Sequence, residues 1–174
     1  MIRLLVLGLF FITSSHSEPR IRFTYDEKPK LTWSDFKGIP INNVPYHASV
    51  NCGMGYTFKS QTANGKIRVI TDAHSYFYPE FSWKRNVDES NLLLLAHEQL
   101  HWDITELHTH MLRKEFANYK PSKNAKADIK AIFEKVELQR KTMQLQYDRE
   151  TDHGRNKDIQ ANWQIRVTER FFRL

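Results

Sequence analysis

The stretch that most restricts this chain is Leu92-Leu-Leu-Leu-Ala96-His97-Glu98-Gln99-Leu100-His101-Trp102-Asp103, an apolar run leading directly into His-Glu-x-x-His. On a helix, residues four apart stand one above the other, so His97 and His101 can reach a single metal ion. Glu98 lies about 100° round from His97, close enough to handle a water held by that ion. Two imidazoles and a carboxylate on one rigid turn form a metal-hydrolase arrangement. The helix is predicted over 91–117, with Asp88, Ser90 and Asn91 as candidate caps at its start. On a helical wheel Leu93, Ala96, Leu100, Ile104, Leu107 and Met111 form a core face, and the metal face borders it. Asp103 falls at the far edge and reads as a structural acceptor.

Only part of a metal site is contained in this motif. His108 shares the face of His101 but lies seven residues on, about 10.5 Å along the axis, too far for the same ion. His108 and His110 are therefore expected at the surface or in support of the ligands. The longer pattern of the metzincins needs Gly at 104 and His at 107; Ile104 and Leu107 exclude that family. A third protein ligand has to come from elsewhere, and candidates cluster only in Tyr147-Asp148-Arg-Glu150-Thr151-Asp152-His153-Gly154. His153 is the first choice, because neutral imidazole is the commonest metal ligand; Asp148 and Glu150 are the alternatives. The metal expected is Zn2+, held by His97, His101 and His153, with Glu98 as the catalytic base. Tyr147 and His108 are candidates for steadying an oxyanion.

The chain opens Met1-Ile2-Arg3, continues with an apolar run from Leu4 to Ile12 and closes that segment on Thr13-Ser-Ser-His-Ser17. A basic start, a short apolar run and small residues at the end describe a secretory signal peptide, expected to be cut before Glu18. The domain expected is residues 18–174, a single metallohydrolase unit that is exported to the periplasm or the extracellular space. No later segment is apolar for the roughly 20 residues a membrane span needs. Cys52 is the lone cysteine, so an intramolecular disulfide is excluded. The net charge is +6, but Lys, Arg, Asp and Glu are interspersed, which argues for solubility and against a nucleic-acid surface.

Elsewhere the pattern is mixed. Residues 21–25 alternate as a half-buried strand does, and 31–40 read as a structural corner anchored by Trp33 and Phe36. Strands are predicted over 48–59 and 66–71, joined through Asn64-Gly65 as an antiparallel hairpin. Pro79 argues against a central strand in the aromatic run 73–83. Two more helices are expected, over 125–150 behind Asn124 and over 156–172, where Ile159, Trp163, Val167 and Phe171 recur at steps of four. The fold class expected is α+β and zincin-like. It consists of a small antiparallel or mixed sheet from the N-terminal half, packed on the motif helix and two further C-terminal helices.

The chain resembles the bacterial predicted secreted zinc-dependent proteases, a family catalogued as proteins of unknown function. The resemblance rests on Trp33-Ser-Asp-Phe-Lys-Gly38, Phe77 through Trp83, the block Ala96–Leu107, Tyr147-Asp148, Thr151-Asp-His-Gly154 and the pair Gln160 and Trp163. Leu100 and Trp102 stand where that family commonly has Gly and Phe; neither change removes a chemical group from the site. Motif and resemblance together imply a secreted zinc-dependent metallopeptidase acting on peptide or protein substrates, in which Glu98 activates a zinc-bound water. The alternatives are a non-catalytic zinc-binding module and a cell-wall amide hydrolase. The intact Glu98 favours an enzyme, since a purely structural site has no use for it.

Overall fold

The computed structural model describes residues 21–173; the expected signal peptide, residues 1–17, lies outside the described residues. Four strands and three helices follow in chain order: β1 (Ala48–Ser49), β2 (Cys52–Ala63), β3 (Lys66–Phe77), β4 (Trp83–Lys84), α1 (Leu92–Asn118), α2 (Ala125–Thr151) and α3 (Lys157–Phe172). The class is α+β. The sheet is smaller than a single N-terminal sheet: β2 pairs with β3 and β1 with β4, each pair antiparallel and separate from the other.

The β2–β3 hairpin turns on Asn64 and Gly65, with φ of 51° and 72°, between the paired Ala63 and Lys66. Two consecutive positive φ values match the right-handed twist of the strands, which is why Asn-Gly is favoured there. β3 runs six residues past the expected end at 71, and β2 lies four residues later than the expected 48–59, with Ala48–Ser49 split off as β1; the outer part of the hairpin stands in solvent while its base lies on α1. The strand reaches Phe77 and stops just before Pro79, which opens a short 3-10 turn at Pro79–Phe81. Residues 21–25 do not form a full strand; only Phe23 bridges Phe77.

The 31–40 corner is real. Trp33–Asp35 is a single 3-10 turn, and the Asp35 carboxylate accepts from the backbone N–H and hydroxyl of Thr32. Gly38 N–H donates to the Ser82 carbonyl at 2.8 Å. A Cβ there would sit 2.8 Å from the Glu80 oxygen and 2.9 Å from the Ser82 oxygen, so only glycine allows the two backbones to meet.

Among the three helices α1 is the axis of the molecule, and it differs from the one-faced helix that the wheel implied. Leu100, Ile104 and Leu107 pack with Met143, Tyr147, Trp163 and Val167 of α2 and α3. Trp102 joins Leu31, Trp33, Phe36, Ala48 and Phe77 on another side. Leu112 and Phe116 meet Ala73, Ile129 and Val136 on a third. With three layers around it, the helix buries polar positions as well as apolar ones, including His97, Glu98, Thr105, Glu106, His108 and Thr109. Asn91 caps it, accepting from Leu94 N–H at 3.1 Å, and Asn156 caps α3 by accepting from Ile159 N–H at 3.2 Å. Asn124 occupies the cap position of α2 without a capping bond; Ser122, Tyr119 and Asp128 tie that corner instead.

Trp102 joins the N-terminal segment to this axis. Its indole N–H donates to the Lys28 carbonyl at 2.8 Å, and its ring lies between Tyr25 and Phe77. Trp102→Ala is expected to cost about 3–5 kcal/mol of unfolding free energy, as for other large-to-small core changes. Leu145→Ala, at a position 71% exposed, should change it by less than about 0.5 kcal/mol. Urea unfolding of the two variants measures the contrast.

Candidate metal centre

The third layer around the motif is supplied by α2. Its buried stripe runs through Ile129, Val136, Arg140, Met143, Tyr147 and Thr151, and this stripe faces α1. Asp148 stands beside Tyr147 and one turn before Thr151, so the same stripe carries its carboxylate to the motif. Asp148 Oδ1 lies 3.1 Å from His97 Nε2 and 2.8 Å from His101 Nε2. These three residues form a possible metal-binding triad, with one ligand atom from each lying within 4.8 Å of the others. Ligands placed about 2.0–2.1 Å from one tetrahedral ion stand roughly 3.3 Å apart, close to the spacing between the carboxylate and each imidazole. Two imidazoles and a carboxylate are also a donor set that suits Zn2+ with a fourth position left open.

His153, the first choice for the third ligand, is placed differently. Its Nδ1 is 3.7 Å from Asp148 Oδ1, its ring stacks on Tyr46, and it lies outside the convergent triad while lining the same cavity. Helix α2 ends at Thr151, and Asp152, His153 and Gly154 follow with φ of 48°, 53° and 83°. Three left-handed residues in succession fold the chain back on itself and bring His153 to the cavity wall. Glu150 points away from the triad, accepting from Gln146 at 2.7 Å and from the Trp163 indole at 2.8 Å. Asp148 and Glu150 are about 200° apart around a helix, so only one of them can face α1. The signal that separates them in the sequence is that Asp148 lies four residues after the half-buried Gln144, beside the buried Tyr147 and three before the buried Thr151.

The carboxylate of Asp148 is held charged. Burial works against its ionised form, but the hydrogen bonds from His101 and His97 outweigh that and keep the carboxyl well below the usual carboxylate range. Glu98 is the opposite case: burial pushes its carboxyl up to about 7, against the lowering influence of His97 and of Val50 N–H. Its Oε2 accepts from Val50 N–H at 2.7 Å, which fixes the side chain against the residue that follows β1. The cavity over these groups has a volume of about 260 Å3 and is lined by Tyr46, Ser49, Glu98, His101, Asp148 and His153, among others.

Neither oxyanion candidate opens onto this space. Tyr147 is fully buried behind the two imidazoles, its ring stacked on His97 at 4.6 Å and edge-on to His101 at 5.0 Å, with its hydroxyl directed at the His97 carbonyl. It braces both imidazoles, and burial with the nearby Glu98 charge pushes its phenol well above the ordinary tyrosine range. His108 is also buried, contrary to the expected surface or supporting position. Its Nδ1 donates to the Ile104 carbonyl at 2.8 Å and it lines a different groove, where α1, α2 and α3 meet. His110 is half exposed and pairs with Glu106 at 3.1 Å. Asp103 is the structural acceptor expected of it, receiving hydrogen bonds from Tyr25 at 2.8 Å and Gln99 at 2.7 Å.

If the triad holds zinc, Asp148→Ala is expected to lower the affinity by more than the roughly 10- to 100-fold that loss of a supporting residue costs, since it removes one of three candidate ligands. His153→Ala should leave it within about tenfold, the lower end of what a residue outside the ligand set costs. Titration against a chromophoric chelator measures both.

No curated protein and no solved structure gives a significant match to the chain. A family described as "Bacterial protein of unknown function (DUF922)" matches residues 39–154. The matched segment contains β1 through α2, the motif helix, the triad and the turn to Gly154. It ends before Gln160 and Trp163 and begins after the Trp33–Gly38 corner. With well over half its length inside that match, the chain belongs to this bacterial family of unknown function.

Proposed function

We propose that the protein is a zinc-dependent metallopeptidase of zincin-like architecture that acts outside the cytoplasm. The observation that carries this reading is the convergence of His97, His101 and Asp148, with Glu98 opening on the same cavity. A site that only stabilised the fold would need the three ligands but not a fourth ionisable group beside them. Structural zinc sites also usually contain cysteine, and Cys52 lies against Thr105 and the His101 carbonyl, behind the motif helix.

When bound, zinc supplies Lewis-acid polarisation of the attacking water and of the scissile carbonyl. The chain supplies the rest. Asp148 and Tyr147 hold the two imidazoles at fixed angles, so the ligands are in place before substrate arrives. One oxygen of Glu98 is occupied by Val50 N–H, which leaves the other to take a proton from the attacking water and pass it to the leaving amine. β1 and the Tyr46 and His153 rings line the cavity as the wall against which a peptide would lie. Export is supported by the basic, apolar and small-residue order of residues 1–17, and among the described residues no helix is long and apolar enough to cross a membrane.

Glu98→Gln is the decisive variant. It should bind zinc as the wild type does while hydrolysis of a peptide library falls by about 10²- to 10⁴-fold, the usual worth of a general base. Undiminished cleavage with zinc bound would remove Glu98 from the mechanism. Zinc-loaded wild type that leaves peptides intact but cuts purified peptidoglycan would move the substrate class to cell-wall amides.

A further inference from the structure

His97 presents Nε2 to Asp148, and its other ring nitrogen, Nδ1, is buried without a hydrogen-bond partner. The oxygen of the Gln160 side-chain amide is in the same condition. Both residues are deeply buried, His97 at 2% exposure and Gln160 at 1%. Polar atoms so enclosed nearly always find a partner, which makes two orphans close together informative.

They flank one glycine. A Cβ built on Gly154 would lie 3.0 Å from Cβ and Cγ of His97 and 3.3 Å from Gln160 Oε1. The space a methyl would fill is therefore the space between these two side chains. Gly154 also has φ of 83°, a conformation that side chains disfavour, so its identity is doubly required. The orientation of the amide is determined independently. Gln160 Nε2 donates to the Leu93 carbonyl at 3.0 Å, one turn before His97 on α1, and this bond assigns the NH2 end and leaves Oε1 on the His97 side. The backbone N–H of Gln160 is tied at 3.0 Å to the Asn156 carbonyl in the first turn of α3.

We propose that Gln160 is a positioning residue for His97: its Oε1 accepts the Nδ1 proton and so orients the ring and raises the basicity of Nε2 towards the metal. This rests on the reading of the triad as a metal site. An imidazole that ligates through Nε2 carries its proton on Nδ1, and that proton needs an acceptor. A small approach across Gly154 provides one. The ring is then held on its face by Tyr147, at one edge by the metal site and at the other by Gln160. The α3 helix, outside the chemistry, thereby acts on it.

The test compares full-length wild type with Gln160→Met, which keeps the volume and removes the acceptor, and Gln160→Glu, which keeps an acceptor; both give up the donor to Leu93, so the difference between them isolates the acceptor. Zinc affinity is measured by chelator competition, and urea unfolding of the metal-free chains reports folding separately. Gln160→Met should lose about 10- to 100-fold in zinc affinity, the usual effect of removing such a partner. Gln160→Glu should recover most of it. In zinc-loaded wild type labelled with 15N-histidine, the Nδ1 proton of His97 should be visible and slow to exchange, and this observation needs no variant to fold. Unchanged affinity in Gln160→Met, or a His97 Nδ1 proton that exchanges freely in the wild type, overturns the assignment while leaving the metal site standing. Wild type that binds no zinc overturns both.

Discussion

The contact on which the arrangement depends is the carboxylate of Asp148 against the two imidazoles of α1. It joins the longest helices at one point, and it does so between groups that all resist burial. A half-buried carboxylate is kept charged by hydrogen-bonding partners, and a pair of buried imidazoles without an acceptor would be costly. Each group makes the other acceptable. Tyr147, the adjacent residue, places an aromatic ring beneath both imidazoles, so the same turn of α2 supplies the carboxylate and the surface that fixes the geometry of its neighbours.

A central helix with polar side chains on several faces can exist only if each layer around it offers partners. The layers here do. Val50 meets Glu98 from the strand side, and Ser75 of β3 and Arg113 meet Glu106. Tyr25 and Gln99 meet Asp103 near the N-terminal segment. Thr105 and Thr109 return their hydroxyls to the carbonyls of His101 and Thr105 on their own helix, the usual solution for buried threonine in a helix. The polar pattern of α1 is thus a record of which segment lies on each side of it.

The turn after α2 links the remaining pieces. By passing through Asp152, His153 and Gly154 in left-handed conformations, the chain reverses within three residues and starts α3 where Trp163 can reach Tyr147 and donate to Glu150. Glu150, a ligand candidate by type, therefore anchors α3 instead. A candidate ligand, an anchor and a cavity-wall residue come from six consecutive positions because helix geometry and a tight reversal send them in different directions.

Local chemistry was legible in the sequence. The spacing of His97, Glu98 and His101 needs only a helix to become half of a site, and Asn91 and Asn64-Gly65 announce an end and a turn through bonds to their immediate neighbours. The apolar periodicity of 156–172 sufficed for α3 for the same reason. The choice among Asp148, Glu150 and His153 was different, since all three are reasonable ligand types within one short segment. That choice depends on the phase of α2 against α1 and on the reversal at its end, which no nearest-neighbour preference encodes. The burial of α1 on every side likewise came only with the fold, because a helical wheel sees the apolar stripe and cannot see partners for polar residues that arrive from 30 to 80 positions away. The sequence by itself determined the motif and the helix that bears it; the tertiary structure decided which carboxylate completes the triad, because ligand convergence is a property of packed helices and not of spacing along one chain.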